Sequence, residues 1–99
     1  MHNDQARKRE LQPKFPLGRM QATPNALSKI PNEEILSALS RHIKGDWGIV
    51  DNHDRAANER ALAQGERLFS VYHSSQNVRF WIITEADRSL TTVLLPEDY

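Results

Sequence analysis

The chain has 99 residues, enough for one domain with a modest core and too few for a second of any size. Thirteen Lys and Arg offset thirteen Asp and Glu, which argues against a protein that neutralises phosphates over its whole surface, although charge can still segregate by face. Without cysteine it has no disulfide framework, thiolate metal site or cysteine nucleophile, and no apolar run approaches the ~20 residues of a membrane helix.

Residues 1–16 are polar and charged, end in Pro13 and Pro16, and read as a flexible tail. Their basic run, Arg7, Lys8 and Arg9 with Lys14, is either part of that tail or an arm for nucleic acid or a partner. The same stretch lacks the apolar core of a secretory signal, so a cytoplasmic location is expected, with no membrane association. Residues 17–99 read as a single domain.

Leu17 to Thr23 fits a short edge strand, and Thr23 before Pro24 fits an N-cap followed by proline at the first helical position. A brief helical turn then ends at Pro31. Asn32 is expected to cap a longer helix, NEEILSALSRHIKG. It has Glu33 and Glu34 in the first turn, Arg41, His42 and Lys44 near the end and Gly45 as a stop. Ile35, Leu36, Leu39 and Ile43 share one face at helical spacing. After a loop containing Asp46, Trp47 and Gly48, a second helix runs from about Asn52 to Gln64, with Ala57, Ala61 and Leu62 as its buried face and Gly65 as its end.

From Glu66 the period changes to two, and ERLFSVYH, VRFWIIT and LTTVLL read as three antiparallel strands joined by HSSQN and EADRS. The expected fold is α+β: two main helices packed on a three- to four-stranded antiparallel meander. The middle strand is apolar on both faces, Phe80 and Ile82 on one, Trp81 and Ile83 on the other. The helices can cover one face. The Leu17–Thr23 segment, a partner chain or a ligand must cover part of the other.

The hairpin tip, Glu85 to Ser89, is the first candidate site. It is either a solvated turn or a rigid mount presenting Arg88 with Glu85 and Asp87 to a partner or phosphate. Alternation places Arg67 with Phe69 and Val71, Ser70 with Leu68 and Tyr72, and Thr84 with Phe80 and Ile82. Polar groups on apolar strands either line a concave site or satisfy the strand ends. His42 lies beside the apolar stripe of its helix, as a structural group or as a general acid–base. His53 among Asp46, Asp51 and Asp54 matches no standard metal loop, so no metal and no cofactor is expected. Trp47 is either a core plug or an exposed anchor. No Gly-rich phosphate loop or nucleophile elbow occurs.

LGRMQATPNAL, RHIKGDWG, ALAQGERLFSVY and WIITEADRSLTTVLLPEDY resemble a family of small bacterial proteins carried on plasmids and other mobile elements. Its members are often labelled plasmid-related protein or type I restriction endonuclease subunit M. A modification subunit needs a cofactor-binding methyltransferase domain, and this chain has neither the alternating βα units nor the length for one. Taken with the residues, the expected function is a small accessory protein of a mobile element that binds a protein or nucleic-acid partner through the Glu85–Ser89 tip and the adjoining sheet face, with Trp47 and Tyr72 as further contacts. A homodimer and an inhibitor of host defence are both compatible with it.

The order of helices followed by an antiparallel sheet also resembles the barnase, EndoU, colicin and RelE group of small ribonucleases. That resemblance implies a metal-independent ribonuclease in which Arg67 clamps phosphate, Glu85 or His42 moves protons, and Thr84 and Arg88 assist. Where barnase carries a histidine in its last loop, this chain has Asp87 or Arg88, so cleavage would need His42 on the same concave face.

Overall fold

A computed structural model of the chain describes residues 12–99; the basic run Arg7 to Arg9 lies outside them. The domain is α+β, with three helices and one four-stranded sheet. The strands are β1 (Arg19–Ala22), β2 (Leu68–His73), β3 (Arg79–Thr84) and β4 (Leu90–Leu94). The helices are α1 (Pro24–Lys29), α2 (Asn32–Ile43) and α3 (Asn52–Gln64), and a 3₁₀ turn spans Pro96–Asp98. Sheet order is β1-β4-β3-β2. β2, β3 and β4 form the antiparallel meander, while β1 departs from expectation by pairing parallel to β4, Arg19 opposite Leu90 and Ala22 opposite Val93.

Local chemistry accounts for most boundaries. Thr23 Oγ1 accepts from the Ala26 N–H at 3.1 Å and Pro24 opens α1. Asn32, expected as a cap, is instead the first residue of α2, which follows Pro31 without a side-chain cap. Proline's fixed φ sets that entry without needing a donor. Asp51 caps α3 by accepting from Asp54 N at 2.8 Å, and Gly65 ends it in the left-handed region at φ 69.

One core joins α1 and α2 to the sheet: Ala26, Ile30, Ile35, Ala38 and Leu39 pack on Tyr72, Phe80, Ile82 and Val93. A second gathers Trp47, Val50, Ala61, Leu68 and Val71 around Phe15. Of the expected tail, residues 12–16 are described, and Phe15 among them is core, its ring 6.3 Å from Trp47 and stacked on it. The packed chain therefore begins before Leu17.

β2 is an edge strand, and its outward backbone groups are covered along the edge. Asn58 of α3 acts as a substitute strand, donating to Phe69 O at 2.6 Å and accepting from Phe69 N at 3.0 Å. The 47–49 loop takes over at Val71, where Trp47 O accepts from Val71 N at 3.1 Å and Ile49 N donates to Val71 O at 2.8 Å. Gly48 permits this approach: its φ is 78, and a Cβ there would collide with the Val71 carbonyl oxygen. The expected buried face of α3 is corrected accordingly. Asn58 and Ala61 are buried, with Ala57 and Leu62 only partly so.

Candidate functional site

The pairing register sorts the proposed residues by face. Leu68, Ser70 and Tyr72 lie opposite Thr84, Ile82 and Phe80 and face the helices; Phe69, Val71 and His73 lie opposite Ile83, Trp81 and Arg79 and face the other way. Thr84 is therefore on the helix side. Arg67 and Glu85, one step beyond Leu68 and Thr84, are on the opposite side. There, Arg67 Nε lies 3.6 Å from Glu85 Oε1. The residues that acid–base cleavage would require thus form two separate pairs, with the sheet between them.

On the helix side His42 is wholly buried and ends a chain of hydroxyls. Its Nδ1 lies 2.6 Å from Ser70 Oγ and its Nε2 2.9 Å from Thr84 Oγ1. Thr84 Oγ1 is 2.7 Å from Thr91 Oγ1, and Thr91 Oγ1 donates to Leu17 O at 2.7 Å. Counting protons fixes every direction. Thr91 gives its only hydrogen to Leu17 O, so Thr84 must donate to Thr91 and His42 Nε2–H must donate to Thr84. Nδ1 is then bare and accepts from Ser70. A second proton on the ring would oblige the Ser70 hydroxyl to turn from donor to acceptor. Burial, with the nearby Arg88 charge adding to it, drops His42 to about 4. Phe15 and Trp47 pack edge-on against the ring at 5.2 and 5.7 Å. His42 and Thr84 are thereby closed into the core and hold α2 on the sheet.

The hairpin tip does not thrust its charges outward together. Arg88, at φ 62, folds back onto the end of α3, donating through Nη1 to Glu66 O at 2.5 Å and through Nη2 to Ala61 O at 3.1 Å. Nη1 also reaches Glu85 O and Ala86 O, and the guanidinium carbon lies 5.7 Å from the centre of the Phe15 ring. Positive charge at the carbonyl end of a helix is stabilising, so Arg88 is a fastener between hairpin and helix. Asp87 accepts from Ser89 N at 3.0 Å and Ser89 Oγ at 2.6 Å, bonds that hold its carboxyl below the usual aspartate range. Trp47 is fully buried, its indole N–H donating to Glu59 at 2.8 Å, and Tyr72 is buried with its hydroxyl on Asp46 O at 2.6 Å. Burial pushes Tyr72 up to about 12. Neither side chain offers surface to a partner.

What the outer face does present is a cleft of about 300 Å³ lined by Arg67, Phe69, Trp81, Ile83 and Tyr99. Ile83 forms its floor. Trp81 meets Phe69 edge-to-face at 5.1 Å and Tyr99 at 5.7 Å. Arg67 Nη1 donates to the Tyr99 hydroxyl at 2.9 Å, so one guanidinium is held by an aromatic on one side and by Glu85 on the other. Tyr99 is 71% exposed, so a ligand can reach the arginine past it. The Leu17–Thr23 segment, expected to help cover this face, extends the sheet as β1 instead. Phe69 and Tyr99 are additions of the structure to the candidate set. Alternation carries a signal for Phe69, but Tyr99 follows a proline-opened turn and has no periodic neighbour.

Among the described residues no group of three or more histidine, aspartate or glutamate side chains is gathered that could hold a metal ion, and no helix is long and apolar enough to cross a membrane. Compared with known proteins, the chain matches no family model, no curated protein and no solved structure.

Proposed function

We propose that the chain is a small accessory protein, of the mobile-element kind its sequence resembles, that binds a protein or nucleic-acid partner. Its working surface is the outer sheet face at Arg67 and Tyr99, with Glu85 contributing from the base of the hairpin. The observation that supports this is the aromatic cleft with a preset arginine: exposed Tyr99 and half-buried Phe69 and Trp81 beside an oriented guanidinium are what a recognition surface requires. The tip itself is spent on internal bonds, since Arg88 and Asp87 are both satisfied by backbone and neighbouring hydroxyl groups. The test compares immobilised wild type, Trp81→Ala and Arg88→Ala for retention of host macromolecules. Retention lost with Trp81 and kept with folded Arg88→Ala is the expected result. The reverse pattern would return the site to the tip.

A further inference from the structure

Resting on that reading, we infer that the partner is a single-stranded nucleic acid, with its bases stacked on the outer sheet face and its phosphates held by the arginines that frame it. The chain as a whole is neutral, but this face is not. Strand alternation and register place Arg19 of β1 and Arg79 of β3 on the same side as Arg67, whose carboxylate partner is Glu85. Gln21 confirms the register on β1 by donating to Thr92 Oγ1 at 3.0 Å on that side. Arg79 stands opposite His73, at the far end of β2 from Arg67, with its Nε 3.5 Å from His73 Nε2. Six residues of strand separate His73 from Arg67, roughly 20 Å.

Between these basic ends lie Phe69, Trp81 and Tyr99. One exposed ring, Tyr99, and two half-buried ones, Phe69 and Trp81, bracketed by guanidinium groups match the chemistry of an unpaired strand, whose bases offer π faces and whose backbone offers repeated negative charge. A duplex hides its base faces and cannot use the rings. A folded acidic protein would satisfy the arginines but would leave the aromatic platform without matched planar groups. The Arg67–Glu85 pair is no obstacle: both side chains are about half exposed, so a phosphate can displace the carboxylate at small cost.

The experiment titrates the full chain into fluorescein-labelled hexamers of uridylate and thymidylate, and into a duplex of equal length, at two salt concentrations, read by fluorescence anisotropy. One or both single strands should bind at least about tenfold more tightly than the duplex. Trp81→Ala should weaken binding about tenfold, the usual range for loss of one base–aromatic stack. Arg79→Ala, at an exposed position that leaves folding undisturbed, should lower the slope of log affinity against log salt by about one. Arg60→Ala, exposed on α3 and not part of the cleft lining, should change neither. Equal duplex binding, an unchanged Arg79→Ala slope, or no binding by either hexamer would overturn the inference. If the hexamers fail while a host protein is still retained through Trp81, the binding reading stands and the nucleic acid alone is rejected. If retention fails as well, both fall.

Discussion

Acidification should unfasten this domain through His42. The imidazole titrates near 6.5 in an unfolded chain and at about 4 in the fold, because burial disfavours the cation and the nearby Arg88 charge adds to that cost. Between those two values the unfolded chain binds the proton and the folded chain does not, so stability falls as pH falls through that window. It is fully present above about 6.5, and this group takes nothing further below about 4. At about 1.4 kcal/mol per pH unit of separation the loss is about 3 kcal/mol, a large share of the 5–15 kcal/mol typical of a domain. Urea denaturation at pH 7.5, 6.0, 5.0 and 4.5 measures it. His42→Gln is the reference, since Gln keeps one acceptor for Ser70 and one donor for Thr84 but does not titrate. Glu34, Asp46, Asp87 and Asp98 are all held below their ordinary values by hydrogen bonds, Glu34 chiefly by Ser75 and Asp46 chiefly by Arg41. Their losses come at lower pH and are common to both proteins. Parallel stability curves for wild type and His42→Gln between pH 6.5 and 4.5 would refute the assignment of a neutral, doubly bonded imidazole.

Arg88→Ala should cost about 1–2 kcal/mol in denaturant midpoint by freeing the Glu66 carbonyl and removing the charge at the end of α3, and Arg88→Gly should cost less, because glycine accepts the backbone at φ 62. Asn58→Ala should cost about 1–3 kcal/mol and speed amide exchange at Phe69, whose N–H and C=O both lose their partner. Gly48→Ala should cost more than about 2 kcal/mol, since a methyl group there strikes the Val71 carbonyl and demands a left-handed backbone; a thermal midpoint equal to wild type would show that the loop does not hold the strand edge.

The elements written in local patterns were legible. Period-two alternation marks β2, β3 and β4, and Gly65 marks the end of α3. What escaped was set by distant partners. β1 is legible as a strand, but its parallel pairing depends on β4, some seventy residues away, and no local spacing encodes that. Nothing local marks Asn58 as a buried residue, because its role is set by the Phe69 backbone across the gap. Arg88 read as outward because a turn offers no hint that the carbonyl end of α3 stops beside it. His42 was correctly placed beside the apolar stripe, yet its full enclosure required Phe15 from a segment that composition alone marks as a tail.

The parallel match of β1 with β4 also governs when the molecule can be finished. Gln21 meets Thr92, and Thr23 and Asn25 meet Asp98, across 71 to 75 residues, so the closure entropy falls due before any of these bonds forms. The β2–β3–β4 ribbon can zip up first from neighbouring segments. The early segment must wait for it, and during synthesis its outer strand has nothing to lie against until β4 has left the ribosome.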